Sequence, residues 1–168
     1  MRAAGRGHSQ AQYCAGVMYS TGRGAERDPV RALACYLRAA EQGAANAQFS
    51  LGVMYAKGDG VARDEARAAE WYRRAARQGD ASAQNNLGVL YASGQGVPHD
   101  DTLAAYWYGQ AAQQGHALAQ YNLGGMAGLP RLHTGTSDLH GSAVFTPPDA
   151  YASSAIRAMM AVGASHPP

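Results

Sequence analysis

GDASAQNNLGVLYASGQGVPHDDTLAAYWYGQAAQQG, residues 79–115, is one complete copy of a unit that the chain repeats. Its opening glycine recurs as Gly7, Gly43, Gly79 and Gly115, each step 36 residues. Gln12, Gln48, Gln84 and Gln120 keep that step, as do Gly16, Gly52, Gly88 and Gly124, and Tyr36, Tyr72 and Tyr108. Self-similarity at a fixed period of about 20–50 residues marks a solenoid, in which each unit buries its apolar face only against its neighbours.

Each unit reads as two helices. Ala83, Leu87, Leu90 and Tyr91 fall at i, i+4, i+7 and i+8, one stripe of a helix of 3.6 residues per turn. Ala47, Leu51, Met54 and Tyr55 match them in the second copy, and Ala11, Ala15, Met18 and Tyr19 in the first. A mid-helix glycine costs about 0.8–1 kcal/mol against alanine. Repeating that cost at Gly16, Gly52, Gly88 and Gly124 predicts close approach of a partner helix. The Gly-x-Gly turns at 22–24, 58–60 and 94–96 predict short connections and an antiparallel hairpin. None completes a phosphate-binding loop.

The second helix starts near Asp28, Asp64 and Asp100, whose carboxylates suit an N-cap, and Pro29 suits the first helical position. Ala68, Trp71, Tyr72, Ala75 and Ala76 form its predicted buried stripe, with Tyr72 filling the gap between units. Glu70, Arg73, Arg74 and Arg77 fall on the other face, and Gly79 closes the helix.

These residues carry a resemblance. Ala83, Gln84, Leu87, Gly88, Tyr91, Gly94, Gly96, Val97 and Asp100, then Ala104, Trp107, Tyr108, Ala111, Ala112, Gln114 and Gly115, resemble the SEL-like repeat (SLR) family, a relative of the tetratricopeptide repeat. The first copy departs at Ala15, Ala25 and Cys35. The resemblance implies an all-α, right-handed αα-hairpin solenoid whose concave face is lined by first helices. It also implies a scaffold that recruits a protein or peptide partner, without chemistry of its own. Two alternatives stand beside it: a cysteine-rich, β-lactamase-labelled repeat enzyme, and a structural segment of a longer repeat protein.

The ruler divides the chain into copies 7–42, 43–78 and 79–114 and a partial copy 115–126, so residues 1–126 are solenoid. Arg2, Ala3, Ala4 and Gly7 fall on Arg38, Ala39, Ala40 and Gly43. The chain is therefore expected to open in the last turn of a helix whose beginning lies upstream, which leaves the compartment open and predicts a frayed first copy. Residues 127–148 read as a loop or disordered segment rich in turn formers. Residues 149–168 read as a capping helix with a tail, Asp149 at its start and Tyr151, Ala155, Ile156 and Met159 on one face, or as a non-native tail.

Net charge is +2 over 168 residues, and no run of about 18 apolar residues exists, so nucleic acid binding and membrane insertion are not expected. Arg63, Arg67, Arg73, Arg74 and Arg77 belong to the second copy alone and do not form a stripe. Cys14 and Cys35 stand where the other copies have Ser50 and Asn86, and Trp71 and Trp107. Nothing makes those positions face each other, and no disulfide is expected. His133, Asp138 and His140 lack the spacing of a metal site, and His8, His99 and His116 read as solvated. No catalytic motif, metal or cofactor is expected.

The candidate partner-binding positions lie opposite the first-helix stripe. Tyr13, Phe49, Asn85 and Tyr121 occur one per unit, beside Val17, Val53 and Val89, and Gln10, Asn46, Ser82 and Leu118. Such a row suits an extended peptide or a helix, with aromatics supplying contact area and amides hydrogen-bonding its backbone. The same rings suit packing between neighbouring first helices equally well.

Overall fold

The computed structural model describes residues 3–126, with side chains from residue 8. Seven helices follow in chain order: α1 (Ala3–Thr21), α2 (Pro29–Glu41), α3 (Ala45–Lys57), α4 (Glu65–Arg77), α5 (Ala81–Ser93), α6 (Asp101–Gln113) and α7 (Ala117–Met126). No strand occurs among the described residues. α1 pairs with α2, α3 with α4 and α5 with α6; each pair then stacks on the next through α2–α3, α4–α5 and α6–α7. The result is a right-handed αα-hairpin solenoid.

Local chemistry places the helix ends. The Asp28, Asp64 and Asp100 carboxylates accept from the backbone N–H groups of Arg31, Arg67 and Leu103 at 3.0, 2.9 and 2.9 Å. Pro29 takes the first turn of α2. At the other end of α4, the Gly79 and Asp80 N–H groups close on the Ala76 and Ala75 carbonyls at 3.0 and 3.2 Å. The loop glycine Gly60 sits at φ 71°, and a Cβ there would stand 2.6 Å from the Pro29 carbonyl. Glycine is thus required twice over, by its dihedral and by contact with the preceding unit.

The three complete hairpins share one close contact. A Cβ built on Gly16 would lie 2.6 Å from the Tyr36 ring, on Gly52 2.5 Å from the Tyr72 ring, and on Gly88 2.7 Å from the Tyr108 ring. The approach predicted at these glycines is therefore made by the tyrosine of the same unit. The same rings also pack on the next unit, Tyr36 in one cluster with Leu51 and Met54 and Tyr72 with Leu87 and Leu90, so the tyrosine sits between units as well. Only a residue without a Cβ lets the ring come this close to the helix backbone, and that contact offsets the propensity cost.

The core is mostly alanine. Ala32, Ala39, Ala47, Ala68, Ala75, Ala83, Ala104, Ala111 and Ala119 are fully buried, and Leu51 and Leu87 are the largest side chains to be so. In α4 the buried set is Ala68, Ala69, Tyr72, Ala75 and Ala76. Trp71 is displaced to the margin, where the Arg74 guanidinium covers its ring at 4.6 Å. The indole is too broad for a seam cut for methyl groups.

The first copy differs. Ala11 and Met18 are exposed and Ala15 and Tyr19 half-buried, because among the described residues no second helix packs on that side of α1. Residues 3–7, expected as the last turn of another helix, instead run straight into α1. The turn at Gly43 depends on carbonyls at the end of a complete α2. Residues 127–168, with the loop and the capping helix expected there, lie outside the described residues.

The helical glycines yield opposite expectations. Gly88→Ala should destabilise the chain by about 1–3 kcal/mol, because the new methyl meets the Tyr108 ring. Gly109→Ala, within α6 and with nothing within 4 Å of the added Cβ, should instead stabilise by up to about 1 kcal/mol. Urea denaturation of both variants checks this; a loss at Gly109 or a gain at Gly88 contradicts the packing.

Candidate interaction surface

The first helices build one side of the stack. α3 and α5 also approach each other directly, which the described second helices do not do to the same extent.

The candidate positions divide by depth. Tyr13 packs its ring on Tyr36, with centroids 5.7 Å apart, and Phe49 packs on Tyr72 at 5.9 Å. Both are half-buried. Asn85 is only 5% exposed. Its Oδ1 accepts from Asn122 Nδ2 at 3.1 Å and its Nδ2 donates to Asn86 Oδ1 at 3.3 Å, an amide chain from α5 to α7. Rings and amide at these three positions are thus substantially engaged within the protein. Asn46 accepts from the Ala47 N–H at 2.8 Å, and Asn46, Ser82, Val17 and Val53 are half-buried. Val89 is 40% exposed, Tyr121 48% and Leu118 64%.

Beneath this row lies a feature whose residues recur in the sequence without a role suggesting itself. Gln48 Nε2 donates to the Ala40 carbonyl at 3.2 Å, and Gln84 Nε2 to the Ala76 carbonyl at 3.1 Å. Each takes hold of the last turn of the preceding unit. Their Oε1 atoms accept from Gln78 and Gln114 of their own unit at 2.7 and 2.8 Å. Gln42 to Gln12 repeats the second bond at 2.7 Å, and Gln120 to Ala112 the first at 3.3 Å. Gln48 and Gln84 are 6% and 4% exposed. The available signal was a polar residue held at constant spacing beside an apolar stripe.

The arginines of the second copy are engaged locally. Arg63 pairs with Glu65, Arg67 with Asp64 at 3.4 Å and Arg74 with Glu70 at 2.6 Å. Arg73, expected to face solvent, is half-buried and donates from Nη2 to the Tyr91 hydroxyl at 3.1 Å, tying α4 to α5. His116 is also a correction. It is half-buried, and its Nδ1 accepts from the Ala119 N–H at 3.3 Å, the N-cap role that Asp80 fills for α5. His8 is exposed within α1, and His99 stands 3.2 Å from Asp101. Cys14 is exposed, Cys35 half-buried, and both are free. Among the described residues no group of three His, Cys, Asp or Glu side chains is placed to hold a metal; His133, Asp138 and His140 lie outside them. No described helix is long and apolar enough to cross a membrane.

Stacked αα-hairpins with a glycine–tyrosine closure and a shared glutamine link define a repeat scaffold. The family model of the Sel1 repeat matches residues 9–43, 45–80, 81–116 and 117–134, and the chain belongs to the Sel1 repeat family. Proteins of this family are generally non-catalytic scaffolds that bind protein partners. Among solved structures, the chain is similar to c5321, a protective antigen of uropathogenic Escherichia coli strains with an SLR fold. Identity is 41% and the TM-score 0.70, over 77% of this chain and 28% of that one. A Sel1 repeat protein from Oxalobacter formigenes is 36% identical with a TM-score of 0.70, over 75% of this chain and 52% of that one. Helicobacter pylori cysteine rich protein B shares the fold at 21% identity and a TM-score of 0.58, over 71% of this chain and 95% of that one. The chain thus spans less than two thirds of the first two. No curated protein matches.

Burial raises the Tyr36, Tyr72 and Tyr108 phenols above the ordinary tyrosine range, opposed by the Ser20 and Ser50 hydroxyls on Tyr36 and by the Asn86 amide on Tyr72. An unfolded tyrosine loses its proton near pH 10 while these keep theirs, so the native state binds more protons there. Stability is fully present below about pH 10 and falls as pH rises through the raised values. Tyr108→Phe keeps the ring on Gly88 and removes one titration. Thermal melts between about pH 9 and 11.5 should show a shallower alkaline decline for this variant, by up to about 1.4 kcal/mol per pH unit. An unchanged slope contradicts the assignment.

Proposed function

We propose that this Sel1 repeat solenoid is a protein-interaction scaffold that takes an extended peptide or partner helix along the face built by its first helices. The observation that carries the reading is the exposed apolar row on that face. Val89, Leu118 and Tyr121 stand open beside the Asn85–Asn122 amide chain, while the tyrosine and alanine framework below is closed. Aliphatic and aromatic surface supplies contact area, and amides at its edge match a peptide backbone. Asn85, Phe49 and Tyr13 then act as the floor that positions the row, with Val53, Val89, Asn46, Ser82 and Tyr121 nearer the ligand. Cys14 and Cys35 are both free, which disfavours the disulfide-stapled, cysteine-rich alternative.

Peptides selected from a displayed random library against the wild-type chain provide the test. Val53→Asp combined with Val89→Asp should weaken their binding at least about tenfold, the size of one hot-spot loss. Arg38→Glu with Arg77→Glu, on exposed positions of the second helices, should leave it unchanged. Peptides that bind the aspartate variant as well as the wild type would contradict the proposed face.

A further inference from the structure

The buried tyrosine of each hairpin ends in a hydroxyl, and the three units treat it differently. The Tyr36 hydroxyl lies 3.0 Å from Ser20 Oγ on α1 and also meets the Ser50 hydroxyl on α3. The Tyr72 hydroxyl takes the Asn86 amide on α5. The tip of the ring thus reaches the seam between one first helix and the next, and a residue across that seam holds it. Tyr108 is placed in the same way, with its ring against Gly88 and only 4% of the residue exposed, as for Tyr36 and Tyr72. Its hydroxyl has no hydrogen-bond partner among the described residues.

Three differences in sequence produce this. Ala92 stands where Ser20 offers a hydroxyl in the first unit. Asn85 stands where the Tyr13 and Phe49 rings pack on Tyr36 and Tyr72. Asn122, the counterpart of Ser50 and Asn86, donates from Nδ2 to Asn85 Oδ1 at 3.1 Å instead. One asparagine therefore removes the covering ring and draws off the amide. Burying a hydroxyl without a partner is unfavourable, and no fully buried side-chain nitrogen or oxygen among the described residues lacks one. The Tyr108 oxygen accordingly opens to the surface, in the seam between α5 and α7. Val89, one turn before Ala92 on α5, is 40% exposed.

We propose that the Tyr108 hydroxyl anchors the ligand of the first-helix face, donating to a backbone carbonyl of an extended peptide. The proposal rests on that reading of the face and adds a fixed polar point to it. An extended chain fits better than a helix, because its carbonyls are free, whereas a helix uses all but its last few in intrahelical bonds. Neither α5 nor α7 contains a charged residue, so an uncharged stretch of peptide suits this seam and a carboxylate would find no cation on either helix. Burial also raises the phenol above its ordinary range, so it keeps its proton and remains a donor at neutral pH. Tyr36 and Tyr72 use their hydroxyls within the protein; Tyr108 has the same ring in the same place with its hydroxyl left for a ligand.

A peptide selected from the displayed library, synthesised as such and as a series with one amide at a time replaced by an ester, tests this. Tyr108→Phe keeps the ring on Gly88 and should weaken the parent peptide about two- to tenfold, the effect of one hydrogen bond, with the Tm at pH 7 unchanged. Tyr72→Phe removes a hydroxyl held by Asn86 and should do the reverse, lowering the Tm and leaving affinity unchanged. One ester, whose carbonyl is the poorer acceptor, should weaken binding to the wild type and not to Tyr108→Phe. An unchanged affinity in Tyr108→Phe, a lowered Tm for that variant, or a weakening that no ester position shares would each overturn the proposal. Binding that still responds to Val53→Asp with Val89→Asp would then leave the face standing without this anchor; binding that ignores them would remove the face itself.

Discussion

The stack depends on a buried glutamine that belongs to two units at once. Gln84 donates to the last turn of α4 and accepts from Gln114 at the end of α6. An α-helix leaves its last carbonyls without intrahelical partners, and a hydrogen bond made to one contributes about 0.5–1.5 kcal/mol. The stacking of one hairpin on the next buries the end of α4, where the Ala76 carbonyl already accepts from the Gly79 N–H, and the glutamine of α5 adds a second donor from the next unit. The same side chain must then find a donor of its own, which Gln114 provides. One residue per unit thereby fixes how far each hairpin slides along its predecessor. Gln48 does the same one unit earlier, so the spacing of successive first helices, and of any row of side chains they carry, follows from it.

Glycine and alanine make that geometry possible. A core with leucine at only two fully buried positions among the described residues brings backbones close together, and the tyrosines against Gly16, Gly52 and Gly88 restore the lost apolar area. Close approach leaves little tolerance: a single methyl meets a ring at Gly88, while at Gly109 there is open space. Polar links bind units in particular places, through Arg73 to Tyr91 and through Arg27 to Asp59 at 2.8 Å. Stability in such an array is a sum over units and their interfaces. α1, with Met18 exposed on the side where inner first helices meet a second helix, has fewer interfaces to sum.

Much of this was legible in the sequence, because the framework is written in local patterns. The 36-residue period, the aspartate caps, the glycine turns and the first-helix stripes of copies two and three need only spacing and propensity, and the helices follow them. Other features are decided by contacts that a single unit does not contain. Trp71 sits one residue from Tyr72, and only the width of the seam places one at the margin and the other beneath. Arg73 looks solvated along its own helix and reaches a hydroxyl on the next. Asn85 shares its position with Tyr13, Phe49 and Tyr121, yet an asparagine one unit later draws it into an amide chain. The glutamines were visible as markers, but their role depends on a carbonyl eight residues upstream and an amide 30 residues downstream.

A fixed first-helix face follows from the same constraint, since residues at equal positions in successive units stand in a row only if the units cannot slide. The claim that the glutamine holds the register is therefore central, and Gln84→Met addresses it most directly by keeping the volume and removing both bonds. Urea unfolding of that variant, read with hydrogen exchange, should show a loss of about 1–3 kcal/mol, with the protection lost first at the α4–α5 junction. A variant as stable as the wild type, with that junction equally protected, would contradict the account.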